Sequence, residues 1–456
     1  MTVGTWHWVH PWSRGILFCL TFLWVVNGPS AFSADKHSLQ EAQTAFHKGN
    51  FEEVLKLVEP LTKGDHPGET VYRLKILSLA RLGKIGKAVG EFERVVRERG
   101  RNDEPLLREL AIASILSLRA DMRIQMRGAA YTALKEINSD DVVPYLEDGL
   151  HDGEGMIRAL AAEGLGTLPA GRRSKAFRQA LQDQASLVKV KVLKALGRAG
   201  DTTVIPLVKK ALKDKQEIVK VAAAGTLVML GQSDYWTWVV KSAQSDHGYE
   251  RGAAFRMLGE LGDARALPLL KNGLQDSQFS IRAAAAASLG KLGLSEAVPM
   301  LIPLFSQGFP AVQSVAELSL GKLHDQTAVP ALLKLLKNDN FGVRASSVAA
   351  LLSLEVPYKM VSGTVQALSQ HSSPGVRSSI GMALSHGRGR DVVRPLTFLI
   401  DDPLPRPRIT AVRSLGRVGD RRVIPLLKKM LRDGDAAVRV TAAGSIARIL
   451  SRQAST

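Results

Sequence analysis

Four Gly-Lys pairs, Gly83-Lys84, Gly86-Lys87, Gly290-Lys291 and Gly321-Lys322, come nearest in this chain to a phosphate-binding loop. Such a loop needs a leading glycine, so that backbone N–H groups can wrap the phosphates, and a Ser or Thr after the lysine to reach the metal ion. All four pairs lack both. No His is followed by Glu, which removes the H-E-x-x-H metal arrangement, and no G-x-S-x-G turn is present to lift a serine nucleophile. His151-Asp152 and His324-Asp325 are the nearest approach to a metal-binding pair. The only cysteine is Cys19, in a segment expected to be removed, so disulfides, zinc–thiolate sites and cysteine nucleophiles are excluded from the rest of the chain. The sequence thus predicts no catalytic residue, no metal site and no cofactor.

What does recur is positive charge at a fixed interval. Arg127, Arg158, Lys189, Lys220, Arg251, Arg282, Gln313, Arg344, Arg377, Arg408 and Arg439 follow one another every 31 residues, with a single interval of 33. An Asp stands six residues before many of them, as in Asp152, Asp183, Asp214, Asp276 and Asp433. A proline follows 17 or 18 residues later at Pro144, Pro206, Pro268, Pro299, Pro330, Pro395 and Pro425. Periods of this length mark a solenoid, in which each unit buries its apolar face only against its neighbours.

The elements that carry the pattern are clearest in 184–214. Val188, Val192, Ala195, Leu196 and Ala199 have helical spacing, Gly200-Asp201 breaks it, and Pro206 opens a second helix whose buried face is Leu207, Val208, Ala211 and Leu212. Each unit therefore reads as helix, turn, helix. The fold class is all-α, a right-handed superhelix of helical hairpins. Val356-Pro357-Tyr358, in the 33-residue interval, and Pro403, Pro405 and Pro407 disturb the period, and the prolines are expected to shorten or delay a helix.

These units resemble HEAT repeats of the short PBS-lyase-like type. Ile157-Arg158, Ile281-Arg282, Val343-Arg344 and Val438-Arg439 carry the resemblance, with Leu415-Gly416 through Asp420 and Val423 through Leu427. It covers about ten units and a terminal half unit over 121–456. In that family, equivalent Asp and Arg side chains bond within and between units, which implies a structural ladder of Asp152, Arg158, Asp183, Lys189, Asp214, Lys220, Asp276, Arg282, Asp433 and Arg439. Arg158 and Arg282 are expected to face Asp152 and Asp276. HEAT-repeat deoxyhypusine hydroxylases hold iron through His-Glu pairs, which are missing here.

A second set of cations has no Asp partner in the pattern. Lys209, Lys210, Lys213, Lys271, Lys334, Lys337, Lys428, Lys429 and Arg432 fall on the polar side of the second helices. The resemblance implies that second helices line the concave surface, so these cations are expected to draw an interrupted basic stripe inside the groove, the expected partner-binding site. In the fourth unit Tyr235, Trp236 and Trp238 surround the expected proline and are read as packing residues.

Ahead of the array, Arg14, the apolar run Ile16–Val26 and Ala31-Phe32-Ser33 read as a secretory signal peptide over 1–33. Residues 34–101 resemble tetratricopeptide repeats, through Gly49-Asn50-Phe51-Glu52-Glu53 and the break at Gly83. Residues 102–120 form a transitional helix that Pro105 opens. The net charge of +18 belongs mainly to the array.

Together these features predict an exported, non-catalytic scaffold in the periplasm or envelope of a bacterium, binding a protein partner, acidic for preference, or an anionic envelope component. Two alternatives remain open: a HEAT-based lyase or hydroxylase acting on a tetrapyrrole or protein side chain, and a nucleic-acid binder, which the basic charge favours and the signal peptide opposes.

Overall fold

The computed structural model describes residues 31–63 and 68–452, with side chains from Lys36 onward. Residues 1–30, and with them nearly all of the signal-peptide reading, lie outside the described residues, as does the tail 453–456. Every described element is a helix. The chain divides into two compact units, residues 1–78 and 79–456. That boundary falls ahead of the one expected after residue 101, between the tetratricopeptide-like segment and the transitional helix.

The first unit contains α1 (Ala31–His47), α2 (Phe51–Leu61) and the start of α3 (Glu69–Arg81). Gly49, at φ +80, turns the chain between α1 and α2, a conformation that costs glycine nothing. Ala42, Ala45, Val54, Val58, Val71 and Leu74 form its core, with Leu39, Phe46, Leu57 and Leu61 packed against it.

In the second unit, α4 (Ile85–Arg99) and α5 (Glu104–Leu116) precede the repeats. Asp103 caps α5 by accepting from the Leu106 N–H at 2.9 Å. The repeats are numbered here by their ladder residue, from Arg127 (unit 1) to Arg439 (unit 11). Their first helices are Ile124–Ile137, Gly155–Thr167, Ser186–Ala199, Glu217–Met229, Gly248–Leu261 and Phe279–Leu292 in units 1 to 6. In units 7 to 11 they are Pro310–Leu323, Phe341–Ser353, Pro374–Ala383, Pro405–Val418 and Ala436–Ser451. In unit 3, Gly200 ends the first helix at φ +68, and Asp201 accepts from the Thr203 N–H at 3.0 Å to start the turn into Ile205–Ala211. The Gly-Asp step is thus a helix stop followed by a cap. In unit 10 the three prolines do not shorten the helix, because Pro405 and Pro407 occupy its first turn, where no intrahelical N–H is required.

First helices pack on first helices from unit to unit, and the sequence of contacts closes: the helix of unit 11 packs on that of unit 1 and on α5. Second helices pack chiefly on first helices and hardly on one another. The curve therefore has first helices inside and second helices outside. Small residues make the tight inner spacing possible. A Cβ on Gly259 would lie 2.7 Å from Ser288 Cα, one on Gly290 2.6 Å from Ser319 Cα, and one on Gly444 2.8 Å from the Ala133 methyl across the closure. Polar contacts finish the seam. Arg108 on α5 donates to Ser451 Oγ (2.9 Å) and to Asp141 Oδ2 (2.6 Å), and Arg421 pairs with Glu104 at 2.9 Å.

Candidate interaction surfaces

The Asp and Arg positions do form a ladder, but each rung runs forward to the next unit. Arg158 Nε and Nη2 donate to Asp183 Oδ2 and Oδ1 at 2.6 and 2.8 Å, while its Nη1 donates to the Asp152 and Gly153 carbonyls. Asp152 is held by Arg127, at 2.8 and 3.1 Å. The same forward step joins Lys189 to Asp214, Arg251 to Asp276, Arg377 to Asp402 and Arg408 to Asp433. The expected pairings of Arg158 with Asp152 and of Arg282 with Asp276 through side chains are therefore corrected. Each Asp also caps its own turn, as Asp183 does by accepting from the Ala185 N–H at 2.7 Å, which aims its carboxylate back at the preceding unit. Burial pushes the Asp183 carboxyl up, but the Arg158 and Ala185 hydrogen bonds outweigh it and the group lies below its ordinary range.

Five of the eleven ladder positions make no rung; at two of them Gln313 donates to the Phe305 carbonyl and Arg344 lies over the Phe341 ring at 4.6 Å. Gln307 stands where Arg282 would find a carboxylate, so the guanidinium lies over the Phe309 ring at 4.9 Å. Ser245 stands where Lys220 would find its carboxylate, and Lys220 pairs with Glu217 at 2.6 Å instead. Arg439, in the last unit, donates to the Asp433 and Gly434 carbonyls.

The stripe of Lys209, Lys210, Lys213, Lys271, Lys334, Lys337, Lys428, Lys429 and Arg432 lies on the outer layer, since second helices are outermost. All are exposed except Lys428, which is half-buried. They do not line a groove. At the last unit they are already engaged: Arg432 binds Glu93 of α4 through two bonds of 3.1 and 2.8 Å, Lys428 sits over the Phe92 ring at 5.7 Å, and Lys429 pairs with Asp401 at 2.9 Å. Trp236 packs beneath the Arg265 guanidinium at 4.3 Å, whereas Trp238 is exposed. Asp152 is occupied by its rung, and Asp325 caps the Thr327 turn, leaving neither carboxylate beside its histidine as an open ligand.

Two surfaces of the inner layer were not foreseen. The first is the rim formed by the N-terminal ends of the first helices. Ile124, Met156, Leu187, Tyr249, Phe279 and Phe309 are exposed there, Ile218 is half-buried, and they occupy nearly the same register in units 1 to 7. Phe279 and Phe309 stack at 5.9 Å, with their planes 7° apart. The recurrence of a large apolar residue two to four places before the ladder cation was the legible signal.

The second surface is the opposite rim, at the C-terminal ends of the same helices. Glu260 of unit 5 is bonded by Lys194 and Arg198 of unit 3 and by Lys291 of unit 6. Burial pushes its carboxyl up, but these cations bring it down to about 2. Glu136 of unit 1 takes Arg417 at 2.8 Å and Arg413 at 3.7 Å. Around the rim, Lys291, Lys322, Ser353, His386, Arg417 and Arg448 hold one register in units 6 to 11. Burial lowers the His386 pKa, and the nearby Arg417 and Lys322 lower it further.

The sequence matches the family pattern described as HEAT repeats at residues 174–252, 237–317 and 361–449. No match appears among curated proteins. Human deoxyhypusine hydroxylase in complex with glycerol shares 20% identity and a TM-score of 0.30, over 56% of this chain and 99% of that one. The complex of CpcE and CpcF of phycocyanin lyase from Nostoc sp. gives 20% identity and a TM-score of 0.36, over 52% of this chain and 92% of its own. The karyopherin Kap121p gives 13% and 0.35, over 92% and 57%.

Proposed function

Since the chain belongs to the HEAT-repeat proteins, we propose that it is a non-catalytic interaction scaffold, exported to the periplasm or envelope of a bacterium, which holds a protein partner against the apolar rim of its inner layer. The export part of the reading comes from Arg14, the run Ile16–Val26 and the small residues that follow. The binding part is carried by one observation: large apolar side chains recur at one end of seven consecutive helices and are exposed in all but unit 4, among them Met156 (61% exposed), Tyr249 (60%) and Phe279 (52%). Apolar residues scattered singly on a surface need no explanation, but a contiguous patch marks a contact surface. Aromatic and Met side chains are also the types enriched where proteins meet.

A photoreactive benzophenone amino acid placed at Leu187 or Phe279, with Lys209 and Lys271 of the outer layer as comparison positions, tests this in the producing cell. Discrete adducts are expected from the two rim positions. Adducts from the outer positions alone would contradict the reading.

A further inference from the structure

We propose that the C-terminal rim of the inner layer is a binding site for an acidic peptide segment, laid along units 6 to 11 with Lys322 and Arg448 as its principal cations. The proposal rests on the scaffold reading but on a different surface. Its first support is the chemistry the rim already performs. Glu260 is gripped by three cations and Glu136 by two, so carboxylates are what this concave surface binds. Elsewhere on it the cations stand without a carboxylate. Lys322, Arg256 and Arg448 make no ion pair among the described residues.

Lys322 is exposed, whereas Arg256 and Arg448 are not ordinary surface charges. Arg256 is exposed to the space inside the curve, yet the surrounding helices desolvate it enough to lower its pKa. Arg448 is half-buried; burial lowers its pKa, and Arg452 and Arg417 beside it do so further, against the pull of Glu136. A cation partly withheld from water and crowded by others gains more from an anion than a solvated lysine does. Solvent, and hence a ligand, reaches the surface: Arg198 is 55% and Lys291 43% exposed.

Cations in the last turn of a helix also answer the helix dipole. That role is met by one positive charge per helix and does not account for Arg413, Arg417 and Arg448 gathering around the single carboxylate of Glu136. Spacing suits an extended strand. Neighbouring helices about 8–10 Å apart present their cations at roughly every third residue of an extended peptide, which rises about 3.3 Å per residue. A peptide is favoured over a nucleic acid because the inward positions between the cations of units 6 to 11 include Leu318, Ser353 and Met382 but no Phe, Tyr or Trp; the one ring there is the imidazole of His386, whose Nδ1 lies 3.1 Å from Ser353 Oγ.

The test uses the full mature chain and a fluorescein-labelled peptide of ten glutamates, followed by anisotropy at low and high salt. Binding is expected, weakening as salt rises. Reversing charge in a K322E/R448E double variant should weaken it by about tenfold or more, the scale of losing close charge pairs at an interface. K209E/K210E on the outer layer should change it by less than about twofold, as exposed charges far from the ligand do. K322Q, at an exposed residue with no ion pair, keeps the test open should the double variant fail to fold, and it too should weaken binding. Unchanged affinity in both K322Q and K322E/R448E overturns the site, as does tighter binding of a single-stranded oligonucleotide of equal charge. L187E should bind the glutamate peptide as the wild type does; a loss there would overturn the assignment by moving the peptide to the apolar rim. Loss of the photo-adducts at Leu187 and Phe279 with peptide binding intact would overturn the partner contact at the apolar rim and not this site.

Discussion

Lys194 and Glu260 belong to first helices two units apart, and their side chains meet, Nζ to Oε1, at 3.4 Å. Two helices that flank a third can touch only on the inside of the curve, in front of Gly225 and Met229 of the helix between them. This contact fixes the sense of curvature independently of the pattern of helix packing. It also turns the cations of the first helices inward and leaves the lysines of the second helices outside.

The forward direction of the ladder makes its rungs unequal. Arg158→Ala strands the half-buried Asp183 carboxylate and should cost about 1–3 kcal/mol, the range for leaving a buried polar partner unmet. Arg282→Ala removes only carbonyl bonds and a ring contact, for about 0.5–1 kcal/mol. Denaturant midpoints on the two variants check this, and equal losses would count against it.

Inner spacing depends on residues without side chains. Gly290→Ala places a methyl 2.6 Å from Ser319 Cα, so backbone must move, at about 1–3 kcal/mol. Gly90 lies in α4 with nothing within 4 Å of its Cβ position, and Gly90→Ala should stabilise the chain by about 0.5–1 kcal/mol. Thermal melts that rank the two the other way would refute the packing account.

The period of 31 made the helical array and its ladder legible, because every unit repeats the same stop, cap and apolar face. Curvature was not legible from that periodicity, since helical faces say which residues are buried but not which layer is inside. The signal lay elsewhere: Gly259, Gly290 and Gly416 recur at one register and face Ser288, Ser319 and Ser445 on the next first helix, so first helices can approach more closely than Leu-rich second helices. Rung direction is hidden for a related reason, since sequence distance favours the Asp six residues away over the one 25 residues ahead that the cation reaches. The buried acid Glu317 has a signal in the sequence, since its register holds Leu193, Ala224, Ala286 and Val348 in other units.

Glu317 should make stability depend on pH. Its Oε2 accepts from Ser347 Oγ at 2.9 Å, its Oε1 has no partner, and burial raises the carboxyl to about 8. A raised carboxyl is protonated in the folded chain and ionised in the unfolded one. Its stabilisation is complete below the ordinary carboxyl range and is lost as pH rises toward 8, at about 1.4 kcal/mol per pH unit. Glu317→Gln should flatten the stability profile between about pH 5 and 8; the same slope in both proteins would show that the carboxyl is not the source.

If the leader is removed near Ala34, the mature chain keeps only Trp236 and Trp238 of its six tryptophans. Amino-terminal sequencing should then begin close to Ala34, and emission should report the fourth unit. Arg265→Ala, which uncovers the Trp236 ring, should shift that emission. Finding Met1 or Thr2 on exported protein would exclude cleavage.

The central claim, that first helices form the inside of the curve, is tested most directly by zero-length carbodiimide coupling followed by peptide mapping. Coupling joins an amine to a carboxylate only where the two already touch. An amide between Lys194 and Glu260, spanning two units, is the predicted product, together with one between Lys291 and Glu260. Absence of both, with couplings instead between second-helix lysines such as Lys209 or Lys271 and acids two units away, would place the second helices inside and contradict the account.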